Sequence, residues 1–169
     1  MTDLDPRHTI GGPAVLTSEE QSAVWFLGSL VRIRLDSAAS GGTLAVLEHR
    51  GELGYGSPVH RHQDDDETFF VLDGELRVDV AGESRTAGPG SVAFLPRQLT
   101  HGFVVTSAEA RFLTLHTPAG FDDFTRAAGT PATPGVTTPP ADLTQPDPGE
   151  LRTLARAYNI DILGPPPRP

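Results

Sequence analysis

The residues whose types and spacing could do chemistry are His60 and His62, then Glu67 five positions on, and much later His101. Two histidines at i and i+2 on an extended segment point to the same face, so both imidazoles can reach one cation without a helix. A carboxylate entering the next strand can add a third donor. His101 follows a second stretch, Gly90-Ser-Val-Ala-Phe-Leu-Pro96-Arg-Gln-Leu-Thr-His101, in which Gly90 opens a strand and Pro96 ends it. On a closed barrel that histidine could face back to the first cluster and complete a set of three imidazoles and one carboxylate. Such a set suits one divalent transition metal per chain (Fe, Ni, Co, Mn, Zn or Cu) and keeps positions open for water or substrate. The sequence has no Cys, which removes disulfides, thiolate nucleophiles and zinc–thiolate sites together. Its 13 basic residues are all Arg, so a lysine Schiff base is excluded.

The elements that must position these side chains are short. Ala23 to Asp36 reads as one strand, in which Val31-Arg32-Ile33-Arg34-Leu35 alternates as a half-buried strand does. Ser37 to Gly42 is small and polar, a turn. Between Thr43 and Pro118 the β-rich runs are Thr43–His49, Thr68–Leu72, Glu75–Val80, Ser91–Leu95, Gly102–Val105 and Arg111–His116. Asp73-Gly74 between two of them predicts a hairpin, and Ala81-Gly82-Glu83 a second turn. Many short strands with frequent turns and no helical period predict an all-β sandwich or barrel. Beyond Pro118, Phe121 to Gly129 suits a short helix, with Phe121 and Phe124 on one face. Thr130 to Pro146 is rich in Pro and Thr and carries no regular pattern. Asp147 then reads as an N-cap, with Pro148 at the first helical position and Glu150 three residues after the cap. Asn159 to Leu163 could run extended onto the barrel. The expected organisation is an N-terminal arm over residues 1–22, a β-barrel over 23–118, and a helical and Pro-rich extension over 119–169 that packs on it.

The two stretches resemble the paired motifs of the cupin superfamily. The first matches Gly-x5-His-x-His-x4-Glu-x6-Gly through Gly54, His60, His62, Glu67 and Gly74, and the second Gly-x5-Pro-x4-His through Gly90, Pro96 and His101. Gln98 stands where the second motif usually has Gly, and Val105 where Asn is often found. The resemblance implies a small jelly-roll β-barrel with the metal on His60, His62, Glu67 and His101. The segments after the barrel, Pro118 to Pro131 and Pro146 to Gly164, are similar to those of bacterial single-domain quercetinase-like cupins. That likeness implies a dioxygenase that opens a flavonol-type ring with O2. Small cupins of secondary-metabolite pathways imply an alternative, a metal-dependent cyclase, isomerase or lyase, and a third reading is a non-enzymatic small-molecule binder. Cupins commonly dimerise through strands, so a homodimer using Trp25 and Val31–Leu35 is expected by resemblance.

Other residues carry competing readings. Glu67 can be a permanent ligand, or a catalytic base that takes a proton from a substrate hydroxyl. Asp64-Asp65-Asp66 reads as a solvated loop at the barrel mouth, or alternatively as negative charge that raises the pKa of Glu67. His49 and His116 near strand ends read as structural, with a pocket role as the alternative for each. His8 has no visible role. Tyr55, Phe69, Val71, Phe103, Val105 and His116 are candidate substrate-pocket residues, and Phe94 and Leu113 further candidate barrel lining. Such a wall favours an aromatic or apolar small molecule, with O2 as co-substrate if the protein is a dioxygenase. The formal charge of −9, with a pI near 5.0 and no basic stripe, points away from nucleic acid and anionic membrane as partners. No apolar run resembles a signal peptide or a transmembrane helix, so the cytoplasm is the expected compartment.

Overall fold

The computed structural model describes residues 12–169. The first part of the expected N-terminal arm, His8 included, lies outside the described residues. Strand β1 (Ser22–Phe26) and strand β2 (Ser29–Leu35) replace the single strand expected over Ala23–Asp36. Leu27 and Gly28 both take positive φ, 51° and 86°, and this two-residue turn folds the chain back so that Phe26 lies opposite Ser29. The turn expected at Ser37–Gly42 is one helical turn, α1 (Ser37–Ser40). The Asp36 carboxylate accepts from the Ala39 N–H at 2.9 Å and Gly41 closes the end in the left-handed conformation.

Strands β3 (Ala45–Glu52), β4 (Val59–His62), β5 (Asp66–Asp73), β6 (Leu76–Val80), β7 (Glu83–Ala87), β8 (Val92–Leu95), β9 (His101–Val105) and β10 (Glu109–Thr117) follow. Helix α2 (Phe121–Ala128), the short strand β11 (Thr130–Pro131), helix α3 (Pro148–Ala157) and strand β12 (Ile160–Gly164) complete the order. Asp147 caps α3 through the N–H groups of Gly149 and Glu150, with Pro148 at the helix start, as its sequence predicts. The strands form two antiparallel sheets, β11-β1-β2-β3-β10-β5-β8 and β12-β4-β9-β6-β7, which face each other as a jelly-roll barrel.

The Asp73-Gly74 turn is not a hairpin. β5 pairs with β10 and β8 in one sheet, whereas β6 pairs with β9 and β7 in the other. Gly74, at φ 74°, therefore carries the chain across from sheet to sheet, and a side chain there would collide with the backbone of Glu109 and Ala110. The hairpin signal belongs instead to Ala81-Gly82, both at positive φ, which join β6 to β7 with Val80 opposite Glu83.

Two apolar clusters hold the molecule. One fills the barrel with Phe69, Val71, Leu76, Val78, Leu95, Phe103, Val105 and Phe112. The other joins the sheet face of Val24, Phe26, Val31, Ile33 and Leu47 to Phe124 of α2, Leu151 and Ala155 of α3, and Ile160 of β12. Burying side chains the size of Phe124 and Leu151 stabilises the docked C-terminal elements by about 1.5–3 kcal/mol each. That second cluster covers one face of the strand expected to meet a partner. β2 is paired on both sides, by β1 and β3, and Trp25, Val31 and Ile33 are buried within the chain. Two lining candidates are also corrected by strand parity. Phe94 points outward and is 60% exposed, and on β10 the inward face is Phe112, Thr114 and His116 rather than Leu113. No helix among the described residues is long and apolar enough to cross a membrane.

Candidate metal centre

β4 carries His60 and His62 on its buried face, and β9 begins with His101, which lies directly opposite His60 in the ladder. Glu67 comes from the facing sheet, on β5, between Leu95 of β8 and His116 of β10. The site therefore straddles the barrel interior, with imidazoles from one sheet and a carboxylate from the other. All four side chains are buried, and one donor atom from each lies within 4.8 Å of every other. The His60 and His62 Nε2 atoms are 3.1 Å apart. The Glu67 Oε2 atom is 2.9 Å from His101 Nε2, 3.5 Å from His62 Nε2 and 4.0 Å from His60 Nε2.

The other ring nitrogens explain why the Nε2 atoms are free to face inward. His60 Nδ1 donates to the Pro58 carbonyl at 2.8 Å and His101 Nδ1 to the Leu99 carbonyl at 2.9 Å. His62 Nδ1 donates to Asp65 Oδ1 at 3.1 Å. With protons on Nδ1, the Nε2 lone pairs of three imidazoles and one carboxylate oxygen converge on a common point. Two buried nitrogens 3.1 Å apart need a proton or a metal cation between them, and with the proton gone this donor set fits a divalent transition metal.

Asp65 was read with its neighbours as part of a solvated run, and here the structure differs. Asp64 and Asp66 turn outward to Asn159 and Arg97, but Asp65 turns in. Its Oδ1 meets His62 Nδ1, and its Oδ2 meets His116 Nδ1 at 2.8 Å. Burial pushes against ionisation of Asp65, but hydrogen bonds from His116 and His62 outweigh it and hold the carboxyl below its usual range. The expectation that the Asp run raises the pKa of Glu67 is likewise overturned. Burial alone would raise it, but His116, His101 and His62 surround Glu67 and hold it well below the ordinary value. Burial works against protonation of His62 too, yet Asp65 and Glu67 together lift it to about 10 in the metal-free protein. His60, farther from a carboxylate, is depressed by burial and by its histidine neighbours to about 3. A second group that could hold a metal, His62, Asp65 and His116, has its atoms at hydrogen-bond separations and is accounted for by that clamp.

His116 is wholly buried, stacks on Phe121 at 4.2 Å between centroids, and leaves Nε2 without a hydrogen-bond partner, 3.5 Å from Glu67 Oε1. Beside the cluster opens a narrow apolar cavity. Of the candidate pocket residues, Tyr55 and Phe103 line it, together with His60 and Glu67. Phe69, Val71 and Val105 lie deeper, in the barrel cluster, and His116 is behind Glu67 rather than on the cavity wall. Sequence reasoning missed the rest of the wall. Phe121 and Phe124 of α2, Leu151 of α3, and Ile160 and Ile162 of β12 line it as well, whereas His49, also on the wall, had a pocket role as its alternative reading. The apolar face of α2 was visible in the sequence, but not the surface it docks against.

A model of the cupin domain family matches residues 51–116, the stretch that contains all four converging side chains. Quercetin 2,3-dioxygenase of Bacillus subtilis (strain 168) is 26% identical over 119 residues, 70% of this chain and 35% of the relative. The chain thus spans about a third of that relative's length. Among solved structures, KdgF from Halomonas sp. superposes with a TM-score of 0.57 at 21% identity, over 66% of this chain and 98% of that one. The polyketide cyclase RemF from Streptomyces resistomycificus superposes with a TM-score of 0.53 at 22% identity, over 63% and 80% of the two chains. These likenesses show a shared fold.

Proposed function

Starting from a single cupin barrel that resembles the quercetinase-like cupins, we propose that this protein is a metal-dependent dioxygenase acting on a flavonol-like or other aromatic, enolic small molecule. The observation that carries this reading is the convergence of three imidazole Nε2 atoms and the Glu67 carboxylate at the inner end of an apolar, aromatic-walled cavity. The similarity to a quercetin dioxygenase supports the reaction class.

His60, His62, His101 and Glu67 would hold one divalent ion. Bound there, it would supply a Lewis acid for a substrate oxyanion and a centre for chemistry with O2. The chain's own residues do the rest. Glu67 is ionised at neutral pH, and its carboxylate borders the cavity, where it can accept the proton of a substrate enol hydroxyl. Phe103 and Phe121 line the cavity, and the apolar wall from α2, α3 and β12 keeps water from the anion formed when that proton leaves. Asp65 and the Pro58 and Leu99 carbonyls fix the tautomers of the three histidines.

The test is metal analysis of protein purified without added metal, followed by incubation with a flavonol under air and under argon. About one equivalent of metal per chain and O2-dependent loss of the flavonol chromophore are expected. Turnover without O2 would replace this reading with a cyclase, isomerase or lyase, and tight binding without turnover would leave a small-molecule binder. Glu67→Gln separates the roles of that residue. As a base it leaves metal bound and lowers turnover by roughly 100- to 10,000-fold. Loss of the metal itself identifies Glu67 as an indispensable ligand.

A further inference from the structure

Away from the histidine–glutamate cluster, the cavity has one other buried polar feature. His49 projects inward from β3, and Tyr55 follows in the turn after that strand; both line the cavity. The Tyr55 hydroxyl is 3.0 Å from His49 Nδ1, and His49 Nε2 is 3.1 Å from Thr114 Oγ1 on the neighbouring strand β10. The histidine ring is clamped flat against Phe112, 4.9 Å between centroids and 4° between planes. The tyrosine has an equally definite seat. A side chain at Gly51 would occupy the place of the first atoms of the Tyr55 side chain, so the missing Cβ of Gly51 makes the room in which that ring lies. Neither side chain belongs to the donor set around Glu67.

This arrangement is a three-member hydrogen-bond chain whose outer residue, Tyr55, lines the cavity. Burial outweighs the attraction of Glu67 and, with the repulsion of His116, holds His49 far below its ordinary pKa, at about 3, so its ring is neutral and carries one proton. If that proton is on Nε2, it goes to Thr114 Oγ1, and Nδ1 accepts the Tyr55 proton. The phenol oxygen then keeps a lone pair for a ligand hydroxyl. If the proton is on Nδ1, it goes to the Tyr55 oxygen, Thr114 donates to Nε2, and the phenol proton is offered to a ligand carbonyl. Either way Tyr55 retains one hydrogen-bonding capacity, with Phe103 5.6 Å away on the apolar wall. Among the residues that line the cavity there is no Arg, so nothing there compensates a carboxylate or phosphate at that position.

We propose that the Tyr55 hydroxyl, backed by His49 and Thr114, is a binding subsite for a second, uncharged oxygen of an aromatic ligand whose first oxygen lies at the histidine–glutamate cluster. The ligand class is then a phenol or enol with a further hydroxyl or carbonyl group across an aromatic framework, rather than a singly oxygenated or anionic one. The inference rests on the reading of the cavity as a site for aromatic small molecules, but not on the use of O2. A site that hydrogen-bonds a ligand oxygen discriminates against the analogue without it, because its own polar groups are then left unpaired.

The experiment uses the full chain loaded with Zn(II) under argon, so that binding is read without turnover. Two probes are titrated by absorbance and fluorescence: quercetin, and the parent flavonol that carries no hydroxyl on its other rings. The wild-type protein is expected to bind quercetin roughly 10- to 100-fold more tightly than the parent flavonol. Tyr55→Phe keeps the ring and its packing, so it should collapse that ratio to within about twofold while the parent flavonol binds as before. Thr114→Val, which breaks the chain at its far end, should reduce the ratio partially. A wild-type ratio near one, a ratio that Tyr55→Phe leaves unchanged, or binding of neither probe overturns the proposal. Loss of the ratio in Tyr55→Phe in a protein that consumes no O2 upholds the subsite and refutes only the dioxygenase reading.

Discussion

Replacing Asp65 by Asn tests whether one carboxylate organises the metal centre. The wild-type side chain accepts from two imidazole N–H groups at 3.1 Å and 2.8 Å, and it is only 13% exposed. Asparagine has one acceptor and one donor in the same space. It can satisfy His62 or His116, but its amide hydrogens then oppose the N–H of the other ring. One charge-assisted hydrogen bond is lost and a donor is left facing a donor, a cost of about 2–3 kcal/mol. In a domain of this size that corresponds to a fall of roughly 5–10 °C in the Tm of the metal-free protein. His62 also loses the partner that fixes its tautomer, so metal affinity should drop by about 10- to 100-fold. Thermal unfolding by circular dichroism reads the first effect, and competition against a chelator of known affinity reads the second. Asp64→Asn is the control, since it removes the same charge one residue away, from an exposed carboxylate that accepts from Asn159. If Asp65→Asn changes Tm by less than about 1 °C and affinity by less than about twofold, relative to that control, Asp65 is not the organiser and the argument fails.

Stability of the metal-free protein should pass through a maximum between about pH 6 and 7. His49 and His60, held neutral with pKa values of about 3, contribute stability that is complete above the ordinary value of 6.5 and is lost as pH falls towards 3. His62, raised to about 10, contributes in the opposite sense, fully below 6.5 and progressively less as pH rises through 10. Urea midpoints measured across that range check this, and a steady rise from acid to alkali would contradict the His62 assignment. Gln98→Gly should raise Tm by about 2–4 °C, corresponding to roughly 1 kcal/mol, because Gln98 sits at φ 67° where a side chain is strained. Its N–H bond to the His62 carbonyl is a backbone bond and survives the change, so a lower Tm would refute the strain.

The Gln98 position also shows why the motif could be read at all. A glycine there is a backbone requirement, and this chain meets the same left-handed conformation with glutamine, at a cost that leaves the neighbouring hydrogen bond intact. The four converging donors were legible because period-two alternation puts His60 and His62 on one face, and because turn residues bracket each stretch. What escaped was set by pairing at a distance. Asp73-Gly74 has hairpin chemistry, but β5 finds better partners in β8 and β10, so the turn becomes a crossing between sheets. Asp65 looks like its two acidic neighbours until His116, 51 positions away, comes into register beside Glu67. Phe121 and Phe124 showed their shared face, but nothing local says that the surface they cover, with Leu151 and Ile162, is a cavity.

The strand that carries His60 and His62 has β9 on one edge and β12 on the other, and the ion pair Arg61–Asp161 between β4 and β12 joins residues 100 positions apart. In a chain made from its N-terminus, both histidine stretches leave the ribosome well before Ile160–Gly164 exist. At ordinary synthesis rates of roughly 5–20 residues per second, the imidazole-bearing strand waits about 3–12 s after His101 for its second neighbour. During that interval its backbone is an uncapped template, open to pairing with another nascent chain, while donors able to seize a metal are already present. The order in which the polypeptide appears therefore makes β12 the later-made of the two neighbours of the histidine strand, and ions captured earlier would be held by a site whose strand still has one open edge.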